Sequence, residues 1–113
     1  MASTIKAFAT TISTSTALTA INAATATGVT GYAINLNIAV TATTNQTAFV
    51  DVTRYNGTTH YYLVRQAPIY PGSALSVIAK SAVQAFSSGY QFYAAITSTG
   101  TPVDCNLSIV EIT

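Results

Sequence analysis

The chain has 113 residues, half of them hydrophobic and only 6% charged, with a formal net charge of +1. That length bounds it to one domain, and that hydrophobicity excludes a disordered chain, which needs low hydrophobicity and high charge. Lys and Arg total four, too few for the phosphate contacts of nucleic-acid binding, and no apolar run reaches the roughly 18 residues of a membrane helix.

From the start of the chain, "MASTIKAFATTISTS" alternates loosely through Ile5, Ala7 and Ala9 and ends in a Ser/Thr run. It lacks the unbroken apolar segment of a secretory signal, so no glycosylation is expected at the N-x-S/T triplets that begin at Asn45, Asn56 and Asn106. Residues 1–15 read as an extended N-terminal arm preceding a domain at 16–113. The arm is expected to add a strand to a neighbouring subunit, which makes Ile5 and Phe8 candidate interface residues; the alternative is a frayed terminal tail.

Beyond the arm, a period of two dominates. Strands are expected near 17–23, 31–42, 47–55, 58–66, 74–79, 82–86, 90–98 and 103–112, about seven or eight at roughly ten-residue spacing. In "YAINLNIAV", Tyr32, Ile34, Leu36, Ile38 and Val40 share one side, and Ala33, Asn35, Asn37 and Ala39 the other. That pattern is a half-buried antiparallel strand. "YQFYAAIT" repeats it with Tyr90, Phe92, Ala94 and Ile96 inward. "VDCNLSI" does so with Val103, Cys105, Leu107 and Ile109 inward. Turn residues separate the runs at Gly28–Gly31, Asn45, Asn56–Gly57, Pro68–Gly72, Ser87–Gly89 and Ser98–Pro102, where Asn and Gly supply the positive φ of tight turns. Pro68 and Pro71 withhold backbone donors and mark an edge or a corner. The expectation from the residues is an all-β chain built as a single antiparallel sandwich or barrel.

Cys105 is the lone cysteine. It cannot form a disulfide within the chain, and one Cys with one His cannot build a structural zinc site. On an inward face with no cationic neighbour it reads as a small buried hydrophobe. No metal or cofactor is expected.

The stretch "YNGTTHYYLVRQAPIYPG" holds the one histidine and four of the seven tyrosines. Asn56–Gly57 between strand-forming runs signals a type I′ hairpin. In that register Thr53 faces His60 and Asp51 faces Tyr62. Val50, Val52, Tyr61 and Leu63 then point to the core. Phe49, Asp51, Thr53, Tyr55, His60, Tyr62 and Val64 share the outer face. Asp51 and His60 come within diagonal reach, which raises the question of catalysis. No nucleophile elbow or oxyanion turn accompanies them, and Asp51, Asp104 and Glu111 are the only carboxylates for a glycosidase pair. No enzymatic role is expected. Tyr, Phe, His and Arg are residues that interfaces favour, so Phe49, Tyr55, His60, Tyr62 and Val64 form a candidate docking face. That face either lies beneath another element of the chain or meets a second subunit. So weakly charged a surface also gains little colloidal repulsion, which suits homo-oligomeric assembly.

The run "HYYLVRQAPIYPGSALSVIAKSAVQAFSSGYQFYAAITSTGTPVDCNLSIVEIT" resembles small virion proteins of tailed bacteriophages, including cyanophages. The likeness falls on Pro68, Ile69, Gly72, Leu75 and Val77 in the corner and the strand after it, and on Gly89. In the last strand it falls on Val103, Asp104, Leu107, Ser108, Glu111 and Ile112. Tyr90 stands where relatives often carry an acidic residue, and Ala85–Phe86 replaces a more polar pair. The resemblance implies a β-sandwich or jelly-roll module of the virion, assembled in the host cytoplasm. Its function would be that of a capsid decoration (cement) protein binding the major capsid protein or other virion subunits and stabilising the head shell. The alternative is a tail, baseplate or fibre module recognising a host-surface receptor or glycan.

Overall fold

The computed structural model describes residues 3–12, 17–22, 25–26, 28–40, 47–78, 84–96 and 102–112. Among them are nine strands and no helix: β1 (Ser3–Ile12), β2 (Thr19–Ala20), β3 (Thr30–Val40), β4 (Ala48–Tyr55), β5 (His60–Ile69), β6 (Ala74–Ile78), β7 (Gln84–Phe86), β8 (Gln91–Ile96) and β9 (Val103–Ile112). They form two antiparallel sheets. The first has the order β1-β9-β3-β6, with β7 also on β3; the second has the order β2-β8-β4-β5.

The pairing is nested. β6 meets Leu36–Ala39 and β7 meets Gly31–Ala33, so the two are pieces of one line along β3. Counting that line once, the first strand pairs with the last, the second with the last but one, the third with the sixth and the fourth with the fifth. Successive pairs alternate between sheets, and the contacts β3·β9 and β4·β8 stitch them side by side. The chain is therefore one long hairpin, folded over itself with its tip at residues 56–59, which is the jelly-roll winding of a β-sandwich.

The core follows from alternation. Val103, Cys105, Leu107 and Ile109 on β9 and Phe92, Ala94 and Ile96 on β8 are all buried. Facing them are Leu36 and Ile38 on β3 and Val50 and Val52 on β4. The corner at Tyr70–Ser73 is a tight turn in which the Ser73 amide donates to the Tyr70 carbonyl at 3.1 Å. Pro71 suits its second position, and Gly72, at φ +80°, suits its third.

In the first sheet and at the hairpin tip, three features differ from the expectation read in the sequence. In β3 a register shift between Ala33 and Asn35 puts Ala33 in the core and turns Tyr32 outward, reversing the expected sides of those two residues. In the hairpin, Tyr55 pairs with His60 and Thr53 with Tyr62, two residues beyond the two-residue-turn register. Asn56 explains this. Its Oδ1 accepts from the amides of Thr58 and Thr59 at 3.0 and 2.8 Å, and its own amide donates to the Thr59 carbonyl. Such an Asx-type turn holds four residues and needs positive φ only at Gly57. The third departure is the arm. Ser3–Ile12 does add a strand, but to this chain's own β9, in unbroken register from Ser3↔Ile112 to Ile12↔Val103. Ile12 enters the core and Phe8 packs against it, which ties the strand to its own sandwich.

Candidate functional site: the outer face of the second sheet

On β4, Val50 and Val52 point inward, so Phe49, Asp51, Thr53 and Tyr55 point outward. Across the ladders, Thr53 lies between Tyr62 on β5 and Tyr93 on β8, and Tyr55 between His60 and Gln91. Three rings pack over the hairpin end of this face. Tyr55 and His60 stack with centroids 4.3 Å apart and an interplanar angle of 27°. Tyr93 meets both edge-on, 4.9 Å from His60 and 5.4 Å from Tyr55. Such pairs contribute about 0.5–1.5 kcal/mol each beyond their buried area.

Beneath the rings Thr53 is 0% exposed although it sits on an outer face. Its hydroxyl shares a hydrogen bond of 2.9 Å with His60 Nδ1, which satisfies a polar group that burial would otherwise leave unpaired. Tyr55 donates to the Gly57 carbonyl at 3.0 Å and Tyr93 to Gln91 Oε1 at 3.2 Å. Each ring is fixed at its polar tip. Beside this cluster Tyr62 is 47% and, farther along β4, Phe49 41% exposed. The Arg65 guanidinium lies 4.8 Å above the Tyr62 ring, within cation–π range.

Asp51 is not part of this cluster. It lies opposite Ala95, and its Oδ1 accepts from the Gln66 amide at 2.6 Å. Gln66 adopts φ +51°, rare for a residue with a side chain, and sits where β5 carries an extra residue relative to β4. Asp51 therefore clamps a β-bulge, and the Asp51–His60 pair that the sequence suggests does not form. Two such irregularities change the faces of β5. Val64, expected outward, lies opposite Val52 and packs against the core, as does Leu63. Tyr61, expected in the core, is exposed.

Of the predicted interface residues, Phe49, Tyr55, His60 and Tyr62 share this outer face. Phe8 and Val64 rest on the core, and Ile5 stands on β1 of the other sheet, 73% exposed. The sequence reading missed Tyr93 and Arg54. Alternation in "YQFYAAIT" puts Tyr93 outward, but only the β4·β8 pairing brings it to His60. Arg54 points toward the first sheet and bonds Gln84 Oε1 at 3.1 Å and the Ala85 carbonyl on β7. It also lies 4.8 Å from the Tyr90 ring centre, so one side chain joins the two sheets at their end.

Cys105 is buried, and its thiol is pushed up to about 12 by burial, with the neighbouring Asp104 charge adding to the effect. It stays protonated at neutral pH. Among the described residues no group of three or more His, Cys, Asp or Glu is placed to hold a metal ion. No protein-family model matches this chain, and no curated protein matches it.

Proposed function

We propose that this chain is a structural subunit of a bacteriophage particle, a capsid decoration or cement protein. Its outer aromatic face would dock on the major capsid protein or another virion subunit. The observation that carries this reading is the face of the second sheet: Phe49, Tyr62 and Arg65 stand open around a ring cluster already fixed by Thr53, Gly57 and Gln91. Rigid aromatic area with polar tips loses little entropy on binding, the property that makes Tyr and Arg frequent anchors of interfaces. The sequence resemblance to tailed-phage virion proteins points the same way. In this role the protein holds shell subunits together through buried area, without chemistry, nucleic acid or membrane.

A second reading rests on Tyr62 with Arg65 above it. An exposed tyrosine beside a guanidinium is also a stacking platform for a sugar, which would suit a tail or fibre module recognising a host-surface glycan. Quantifying the subunit in purified particles, together with imaging of its position, separates the two. Hundreds of copies on the head support the decoration role, and a dozen or fewer at the tail support the glycan role. Absence from the particle overturns both.

A further inference from the structure

Four strand edges bound the two sheets among the described residues: β1 and the β6/β7 line on the first, β2 and β5 on the second. An open edge offers unpaired N–H and C=O groups to any extended chain, and folded proteins blunt such edges with prolines, bulges, charge or shortness. Three of these edges are blunted. β5 carries Pro68, exposed Arg65 and two register irregularities against β4. β2 is two residues long, and β6 and β7 are five and three.

β1 has none of these protections. It runs ten residues without Pro and without a register shift against β9. Its one charge, Lys6, is neutralised by Glu111 at 2.8 Å. Alternate residues of a strand aim their backbone groups to opposite sides, so about half of those in β1 point away from β9. From Ser3 to Ala7 the side chains are exposed on both faces, and Ile5 is the most exposed of the large hydrophobic residues among those described.

We propose that the free edge of β1 pairs antiparallel with β1 of a second copy of this chain, across a two-fold axis perpendicular to the sheet. Such an axis keeps the outer face outer, so residues of like parity oppose one another. Ile5, Ala7 and Ala9 then meet the same set from the second copy. The alanines allow close approach, and no like charges are brought together, because Lys6 stays with its own Glu111. A charged or bulky edge would not be self-complementary in this way. With the other edges blunted, the contact closes at two copies and does not propagate into a fibre. This inference stands apart from the virion role: it specifies how two copies meet, whatever they later dock on.

The test is sedimentation of the full chain over a wide concentration range, beside an Ala7→Lys/Ala9→Lys variant and a Tyr62→Lys variant. Both alanines are exposed; a lysine at position 7 would face its own copy across the axis, where like charges directly opposite destabilise pairing, and a lysine at position 9 would set a charge against the apolar Ile5 of the second copy. The expected result is a wild-type dimer whose dissociation constant rises at least about tenfold in the alanine variant and is unchanged in Tyr62→Lys. Amide exchange on the wild type gives a reading that does not depend on the variants folding. The outward-pointing β1 amides should gain protection as concentration rises. A wild-type chain that stays monomeric, a dimer broken by Tyr62→Lys instead, or β1 amides that exchange freely at every concentration would each overturn the proposal.

Discussion

On the outer side of the first sheet, Ala7, Ala9 and Thr11 of β1 lie beside Ser108, Asn106 and Asp104 of β9, which in turn face Asn35, Asn37 and Ala39 of β3. On the outer side of the second, the cross-strand row is Tyr93, Thr53, Tyr62, and the next is Gln91, Tyr55, His60. Both faces arise from the same alternation of inward apolar and outward polar residues. They differ in side-chain size. The small side chains of the first leave an open depression lined by Ala9, Thr11, Asp104 and Asn106, with Asn106 exposed. The rings of the second roof over their own sheet until Thr53 has no contact with water. The second face therefore buries part of its own sheet as well as carrying the docking surface proposed above.

The largest test of this contrast is a control that should ignore it. Phe92 is fully buried between the sheets, so Phe92→Ala should cost about 3–5 kcal/mol through lost burial and a cavity. Urea unfolding followed by ring fluorescence and by far-UV dichroism should move together. Separate transitions would mean that the two sheets are not one cooperative unit.

Next in size is the buried hydroxyl. His60→Ala removes both the stacked ring and the partner of Thr53, and an unpaired buried hydroxyl costs about 1–3 kcal/mol. The double change Thr53→Val/His60→Phe keeps shape and removes the polar pair, and should recover most of that loss. If His60→Ala alone left the urea midpoint unmoved, the roof would be ornamental, and the two faces would be energetically alike.

These particulars show which parts of the molecule were legible in sequence. β8 and β9 were, because Phe92, Ala94 and Ile96 on the one and Val103, Cys105, Leu107 and Ile109 on the other hold every second position toward the core, and each strand is paired on both sides. The sandwich class followed from them. Tyr32, Val64 and Tyr61 were misplaced for one reason: an irregularity inserts a residue, and every side chain beyond it changes face. Nothing local in "LVRQA" announces that Gln66 takes a positive φ, since the cause is Asp51, a residue of the partner strand. The hairpin slipped by an even number, so Tyr55, His60 and Tyr62 kept their face although their partners changed. Tyr93 was hidden because alternation gives a side and not a neighbour. Expectations that fell on Asn45, on residues 79 and 82–83 and on residues 97–101 lie outside the described residues.

Beneath the first face, Cys105 gives a test in pH. Its thiol is raised from 9.0 to about 12 in the folded chain, so the folded state holds this proton more tightly than the unfolded one. The stability it contributes is complete below pH 9 and is lost as pH climbs toward 12. Alkylation at pH 8 should be far slower than for an unfolded control and should track global unfolding. Cys105→Ala should flatten the fall in urea midpoint between pH 9 and 11. Rapid alkylation without unfolding would mean that the first sheet opens locally at β9.

The smallest stability effects carry the sharpest functional contrast. Tyr62→Ser and Asn106→Ser each alter a side chain that faces solvent, on opposite sides of the sandwich. Exposed substitutions of this kind usually change stability by no more than about 0.5 kcal/mol; Tyr62 sits at the upper end, because Arg65 rests on its ring. Binding should separate them. An aromatic anchor lost from an interface centre costs about 2 kcal/mol or more, near thirtyfold in affinity. Tyr62→Ser should therefore fail to load onto undecorated shells in a pelleting assay, while Asn106→Ser loads like wild type. The reverse pattern would place docking on the small-residue face and leave the rings as a structural roof alone. Equal loading by both would show that neither outer face holds the anchor.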